Sequence, residues 1–222
     1  MKIYSVILNA LPDKKIKYLG NKCLLNTNKN NLVIDSHIKT IRKLFKSTDI
    51  SIIGGFDSKK LKKYIGLNLK YKDIKYIEHD ITNYSNIGQS IKVAVSNMKN
   101  DTGCFLLNSN ILLSPSIKIK IEKNTDKSFI LTQNHGDIGY ITSDDNYITH
   151  CYYGLPNGIL DALFISKQDL QAAKKVILNT NIDRLYLFEV VNLLIENKIN
   201  IIPVSTYKKH IEYIDSKYSL IN

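Results

Sequence analysis

Unbroken apolar runs, separated by amphipathic stretches of helical length, dominate the first half of this chain. Lys2 to Leu8, Ile50 to Ile53, Ile74 to Ile77 and Cys104 to Leu107 read as strands. Ser36 to Phe45, Ser58 to Ile65 and Gly88 to Met98 read as helices, the last with Ile91, Ala94 and Val95 as its apolar stripe. A strand that alternates polar and apolar residues has one dry face, whereas a continuous apolar run is dry on both. Right-handed βαβ crossovers place helices over both faces of a parallel sheet and so account for such runs. The chain is therefore expected to be α/β, with a Rossmann-like, mostly parallel sheet flanked by helices.

After Leu107 the texture changes. Ile117 to Ile121, Phe129 to Leu131, Ile138 to Thr142 and Tyr147 to Tyr153 read as short β pieces, with a turn at Asp144-Asp145-Asn146. They predict a small antiparallel excursion carried by the same core. Helices follow at Lys167 to Ile177 and Arg184 to Glu196, then a strand at Asn200 to Val204 and a short terminal helix or turn at Ser205 to Tyr213. With 222 residues and 44% hydrophobic content the chain can bury one substantial core. No repeat or linker divides it, so residues 1–222 are read as a single domain.

The formal net charge is +11, from 31 basic against 20 acidic residues. Such a surplus attracts polyanions, although Lys and Asn enrichment also follows from biased base composition. Only Arg42 and Arg184 supply the planar fork that reads base edges, which disfavours sequence-specific duplex recognition. Cys23, Cys104 and Cys151 are widely spaced and fit reduced thiols rather than a disulfide framework. No apolar stretch approaches the ~20 residues that span a bilayer, and the N-terminal segment lacks a signal-peptide pattern. A cytoplasmic protein without a membrane span is expected.

In an open α/β sheet, ligands bind beyond the carboxyl ends of the strands. The loop after Leu8 lies there by topology, and Lys14, Lys15, Lys17 and Lys22 could neutralise phosphate oxygens. It contains neither a P-loop nor a dinucleotide fingerprint. A solvated basic loop is the plain alternative.

These residues also carry a resemblance. Leu8-Asn9-Ala10-Leu11-Pro12-Asp13-Lys14-Lys15, then Asn21-Lys22-Cys23-Leu24, resembles the opening signature of the nucleotidyltransferases that activate sugar phosphates or phosphocholine, written LAAGxGxR and PKxL. Lys15 falls on the Arg position and Lys22 on the Lys, while Leu11 and Asp13 occupy the glycine positions and Asn21 that of the proline. Ser51-Ile52-Ile53-Gly54-Gly55-Phe56, the segment from Asn83 through Gly88-Gln89-Ser90, and Ile214-Asp215-Ser216 extend the likeness in order along nearly the whole chain. The resemblance implies catalytic roles for Lys15 and Lys22 toward the phosphates. It further implies nucleotide contacts from Asn9, Ala10, Lys14, Gln89 and Ser90, and a nucleoside triphosphate or nucleotide sugar as partner.

By the same resemblance, Ser109-Asn110 falls on the Gly-Asp pair that coordinates Mg²⁺, and Asp215 on a second metal carboxylate. An amide at 110 offers one neutral oxygen where a hard cation prefers a carboxylate. Asp161, Asp137, Asp144 and Asp145 are candidate substitutes. Two other readings stay open. One is an inactive homologue, a pseudoenzyme that binds nucleotide, nucleic acid or a protein partner. The other is a glycosyltransferase, for which Asn108-Ser109-Asn110 has the spacing of a DxD motif with both acids replaced. The five histidines form no metal-binding pattern, and the 14 tyrosines, some interleaved with Lys between Tyr71 and Tyr84, offer stacking surfaces or core filler.

Overall fold

The structure, a computed structural model, describes residues 1–11, 17–27, 31–79, 86–134 and 136–214. A seven-stranded sheet runs through it in the order β10-β6-β9-β4-β1-β2-β3. The first half builds β1 (Ile3–Asn9), α1 (Val33–Leu44), β2 (Thr48–Gly54), α2 (Ser58–Leu67), β3 (Lys75–Glu78), α3 (Ile87–Ser96) and β4 (Gly103–Asn108), in the predicted sequence of strands and helices. Here β1 pairs in parallel with both β2 and β4, and β2 with β3. The remaining sheet strands are β6 (Ser128–Thr132), β9 (Ile159–Ile165) and β10 (Ile201–Ser205). Since β10 is parallel to β6, and β9 antiparallel to both β4 and β6, β9 is the reversed strand of the sheet.

Apolar runs are unbroken because both faces are covered. Val6, Leu8, Cys104 and Leu106 point into one core with α3, α5 (Lys167–Asn179) and α6 (Leu187–Glu196). Ile7, Ile52, Phe105 and Leu107 point into the other, beneath α1 and α2. Buried Ile34, Ile38 and Ile41 recur at helical spacing along α1 and supply its inward stripe. Phe129 and Phe164 stack at 4.9 Å beneath that layer, with Phe45 edge-on to Phe105 at 5.3 Å.

Three expectations are corrected. Ile117 to Ile121 is not β: Ser114 caps a short 3-10 turn with Pro115 in its first position, and α4 (Lys118–Glu122) follows. Burial of Ile117 and Ile121 with exposure of Ile119 is the pattern of a helix face, which the strand-like alternation concealed. Phe129 to Leu131 belongs to the main sheet rather than to the antiparallel excursion. That excursion comprises the hairpin of β7 (Ile138–Thr142) and β8 (Ile148–Tyr153), together with a ladder between β5 (Ile111–Leu113) and β11 (Ile211–Tyr213). The ladder takes up part of the expected terminal helix or turn, of which a 3-10 turn at Lys208–His210 remains.

Helix α3 starts against the loop before α6. Asn86 N–H donates to the Asp183 carbonyl at 2.7 Å, and Gly88 N–H to that of Leu185 at 3.0 Å. A Cβ on Gly88 would stand 1.9 Å from the Ile182 carbonyl oxygen, so glycine is required by close approach. We expect Gly88→Ala to destabilise the protein by about 1–3 kcal/mol, the usual range for overpacking a fixed contact. A lowered urea midpoint at unchanged slope would verify this.

Candidate active site

The carboxyl ends of β1 and β4 open into a cavity of about 430 Å³. Leu8, Ala10 and Leu11 from the end of β1, with Ile87 from α3, give it an apolar side. Lys22, Asn108, Asn110 and Asp161 give it a polar side. Tyr153, Tyr186, Phe188 and Asp137 are also in the lining. Phe188 meets Tyr153 edge-on at 5.3 Å and Tyr186 in a stack at 6.1 Å.

Asp161 is the decisive side chain. In the antiparallel register Leu107 faces Ala162, so the next pair outward brings Asp161 beside Asn108. Asn108 Nδ2 donates to Asp161 Oδ2 at 3.0 Å, and Asn110 Nδ2 donates to the same oxygen at 3.1 Å. Desolvation pushes the Asp161 carboxyl above its ordinary value, opposed by the hydrogen bonds from Asn110 and Asn108 and by the charge of Lys22. Asp161 thus stands on β9, across the ladder from Asn108 and within hydrogen-bond reach of Asn110. Of its rival substitutes, Asp137 lines the cavity, whereas Asp144 and Asp145 sit in the β7–β8 turn and do not.

The turn that carries Lys22 is held by a polar network. Lys22 opens this 3-10 turn, which is capped by Asn21, whose Oδ1 accepts from Cys23 N–H and from Asn9 Nδ2, both at 3.0 Å. Asn21 Nδ2 donates to the Phe56 carbonyl at 2.9 Å. Ser109 Oγ completes the set at 3.0 Å from both the Leu8 carbonyl and Asn9 Oδ1. An asparagine where the resembling signature has proline therefore anchors the turn through both ends of its amide. Preceding it, Gly20 adopts φ +86°, a left-handed conformation that favours glycine.

The sequence-predicted residues divide as follows. Ala10, Lys22, Ser90 and Asn110 line the cavity. Asn9 faces Asn21 and Ser109 instead, so its side chain positions the floor. Gln89 lies outside the lining, one residue from Ser90. Lys14, Lys15 and Asp215 lie outside the described residues. Ile214 N–H donates to the Asn110 carbonyl at 2.7 Å, which ties the last described residue to this corner. Asp161 could have been singled out in the sequence as the lone acid in the apolar run ILDALFI. All three cysteines are free and buried, and burial pushes the Cys23 and Cys151 thiols up to about 12, which leaves no thiolate nucleophile.

A divalent cation finds a modest protein donor set here. Among the described residues no group of three or more acidic, His or Cys side chains could hold a metal. Asp161 offers a carboxylate, and Asn110 Oδ1 is a buried oxygen without a hydrogen-bond partner. That set fits Mg²⁺, which keeps several waters and takes one or two carboxylates plus substrate phosphates.

No family model matches the chain, and no curated protein sequence matches it. Solved structures do. A CTP:phosphocholine cytidylyltransferase from Streptococcus pneumoniae superposes with TM-score 0.78 at 15% identity, covering 99% of this chain and 96% of that one. A UDP-glucose pyrophosphorylase complexed with UDP-glucose gives 0.79 at 9% identity, covering 100% and 96%. The inositol-1-phosphate CTP transferase from T. maritima gives 0.72 at 10% identity, covering 98% and 91%. The chain shares the fold of these three enzymes. At these identities the likeness fixes architecture alone. No helix among the described residues is long and apolar enough to cross a membrane.

Behind Lys22, His37 on α1 is 1% exposed, and neither ring nitrogen has a well-formed hydrogen bond. Burial pulls its pKa down to about 4, with the Lys22 charge adding and the Ser109 backbone opposing. A folded value below the unfolded 6.5 means that the neutral ring's stability is present above pH 6.5 and is lost as pH falls toward 4. Between pH 7.5 and 4.5 the wild type should lose roughly 2–3 kcal/mol more than His37→Leu. Urea unfolding of both proteins at the two pH values measures this difference.

Proposed function

We propose that this protein is a nucleotidyltransferase that joins a nucleoside monophosphate, taken from a triphosphate, to a phosphorylated small-molecule acceptor. A phosphate oxygen of the acceptor attacks the α-phosphorus, the bond to the bridging oxygen of the β-phosphate breaks, and pyrophosphate leaves with that electron pair. The observation that carries this reading is Asp161 held by Asn108 and Asn110 in a cavity it shares with Lys22. A carboxylate and a buried ammonium on one side are what a phosphoryl-group reaction needs, since its catalysis is mostly alignment and charge stabilisation.

In this reading Lys22, fixed by Asn21 and Asn9, steadies the attacking phosphate, and Lys15 the triphosphate. Asp161 and the Asn110 oxygen would hold Mg²⁺, with Asp215 as the second carboxylate. When bound, the ion screens the phosphate charges and stabilises charge on the transferring group. Ala10, Leu11 and Ser90 form the side against which the base rests, and Lys14 and Gln89 are assigned further nucleotide contacts by the signature-like segments. The unpaired, buried thiols accord with a cytoplasmic setting.

The rings of Tyr153, Tyr186 and Phe188, with Asp137 nearby, favour an acceptor with a cationic head group, because ring faces and a carboxylate both attract an ammonium. The phosphocholine-using relative is the corresponding chemical precedent.

Pyrophosphate release, measured with Mg²⁺, each common triphosphate and a panel containing phosphocholine, phosphoethanolamine, a hexose 1-phosphate and inositol 1-phosphate, tests both parts. Turnover is expected with a cationic acceptor, and Lys22→Ala or Asp161→Asn should each reduce it by at least about a hundredfold, equivalent to a few kcal/mol of transition-state stabilisation. Phe188→Ala should raise the acceptor KM more than it lowers kcat. Absence of turnover with every pair, alongside retained nucleotide binding, would sink the enzymatic reading in favour of a nucleotide-binding module.

A further inference from the structure

A second concavity, of about 550 Å³, lies between α1 and the β5–β11 ladder. Lys39 and Lys43 approach it from α1, four residues apart and so on one helix face. Lys208 and Lys209 approach from the 3-10 turn before β11. None of these four lysines stands in an ion pair among the described residues, where the ion pairs belong to Lys2, Arg42, Lys62, Lys70 and Lys118. Glu212 also lines the concavity as a carboxylate.

The lining contains a hydroxyl that the fold leaves unused. Thr27 is 6% exposed, and its Oγ1 is buried without a hydrogen-bond partner. A buried hydroxyl with no partner is costly, and this one lines the same concavity as the four lysines. Neighbouring Thr40 is by contrast already committed, donating to the Leu113 carbonyl at 3.1 Å.

We propose that this concavity is a binding site for a small phosphorylated anion, with Thr27 donating from within and Lys39, Lys43, Lys208 and Lys209 supplying the counter-charge. The site is independent of the nucleotidyl-transfer reading. Its dimensions suit a compact ligand rather than a polynucleotide, which needs an extended basic track with free rings for stacking. The exposed ring beside it, Tyr207, is taken up by Lys120 at 4.1 Å and Lys209 at 5.8 Å. A floor of backbone hydrogen bonds supports the site: Ser114 N–H donates to the His210 carbonyl at 2.8 Å, and the β5–β11 ladder continues from there.

Inorganic tripolyphosphate titrated into the full chain, followed residue by residue through amide NMR shifts, tests the proposal. Saturable shifts are expected at Thr27, Lys43 and His210, persisting in Lys22→Ala. The double variant Lys39→Ala/Lys43→Ala should weaken that binding at least about tenfold, as expected for lost charge-assisted contacts. Thr27→Val, which deletes an unpartnered hydroxyl, should weaken binding severalfold without lowering the thermal midpoint. A purely structural role for Thr27 would not separate those two readouts. Shifts confined to the cavity around Lys22, binding indifferent to the lysine and Thr27 variants, or displacement by a single-stranded oligonucleotide that shifts lysines over the whole surface would each overturn the proposal.

Discussion

The backbone ladder of β9 joins the two halves of this molecule. On one side of it, β4, β1, β2 and β3 form a parallel sheet; on the other, β6 and β10 form a second. Without the reversed strand, β4 and β6 would each present a row of unpaired N–H and C=O groups inside the protein. Its side chains bind the halves as tightly as its amides do. Leu163 and Ile165 enter one core, and Leu160, Ala162 and Phe164 the other.

That strand also sets the electrostatics of the cavity. An acid in an otherwise apolar strand is costly to desolvate unless donors face it. Asn108 and Asn110 are those donors, and both reach the same carboxylate oxygen. An aspartate at 110 would have set two like charges against each other at this spot, raising the affinity of both for protons. The asparagines and Asp161 therefore make sense as a set. The amide at 110, read alone, looks like a lost charge; beside Asp161 it is the donor that pairs a buried carboxylate.

Local pattern revealed the βαβ half because each of its elements carries its burial pattern in its own residues. Ile34, Ile38 and Ile41 announce α1, and the run from Gly103 to Asn108 announces a strand with two dry faces. The site was half legible: Lys22, Ala10, Ser90 and Asn110 follow from the signature-like segments and do line one cavity. What pattern could not give was pairing across distance. Asn108 and Asp161 are 53 residues apart, and only the register of β4 on β9 makes them neighbours. The anchoring of Lys22 was hidden for the same reason, since Asn21 works by reaching the Phe56 carbonyl, 35 residues away. Ile117 to Ile121 misled because isoleucine at alternate positions serves a strand or one helix face equally well, and Ser114-Pro115 was the arbiter.

The ladder of β5 with β11 has a consequence for the order in which the molecule assembles on the ribosome. Ile111 pairs with Tyr213, and Ile214 bonds to Asn110, so the corner beside the cavity is tied by nearly the last described residues of the chain. A chain emerging from its N-terminus can pack α1, α2 and α3 around β1, β2 and β4 long before that strand exists. The nascent protein can thus acquire most of its core with Asn110 still untethered. By order of synthesis, the β5–β11 ladder can close only after most of the scaffold has emerged.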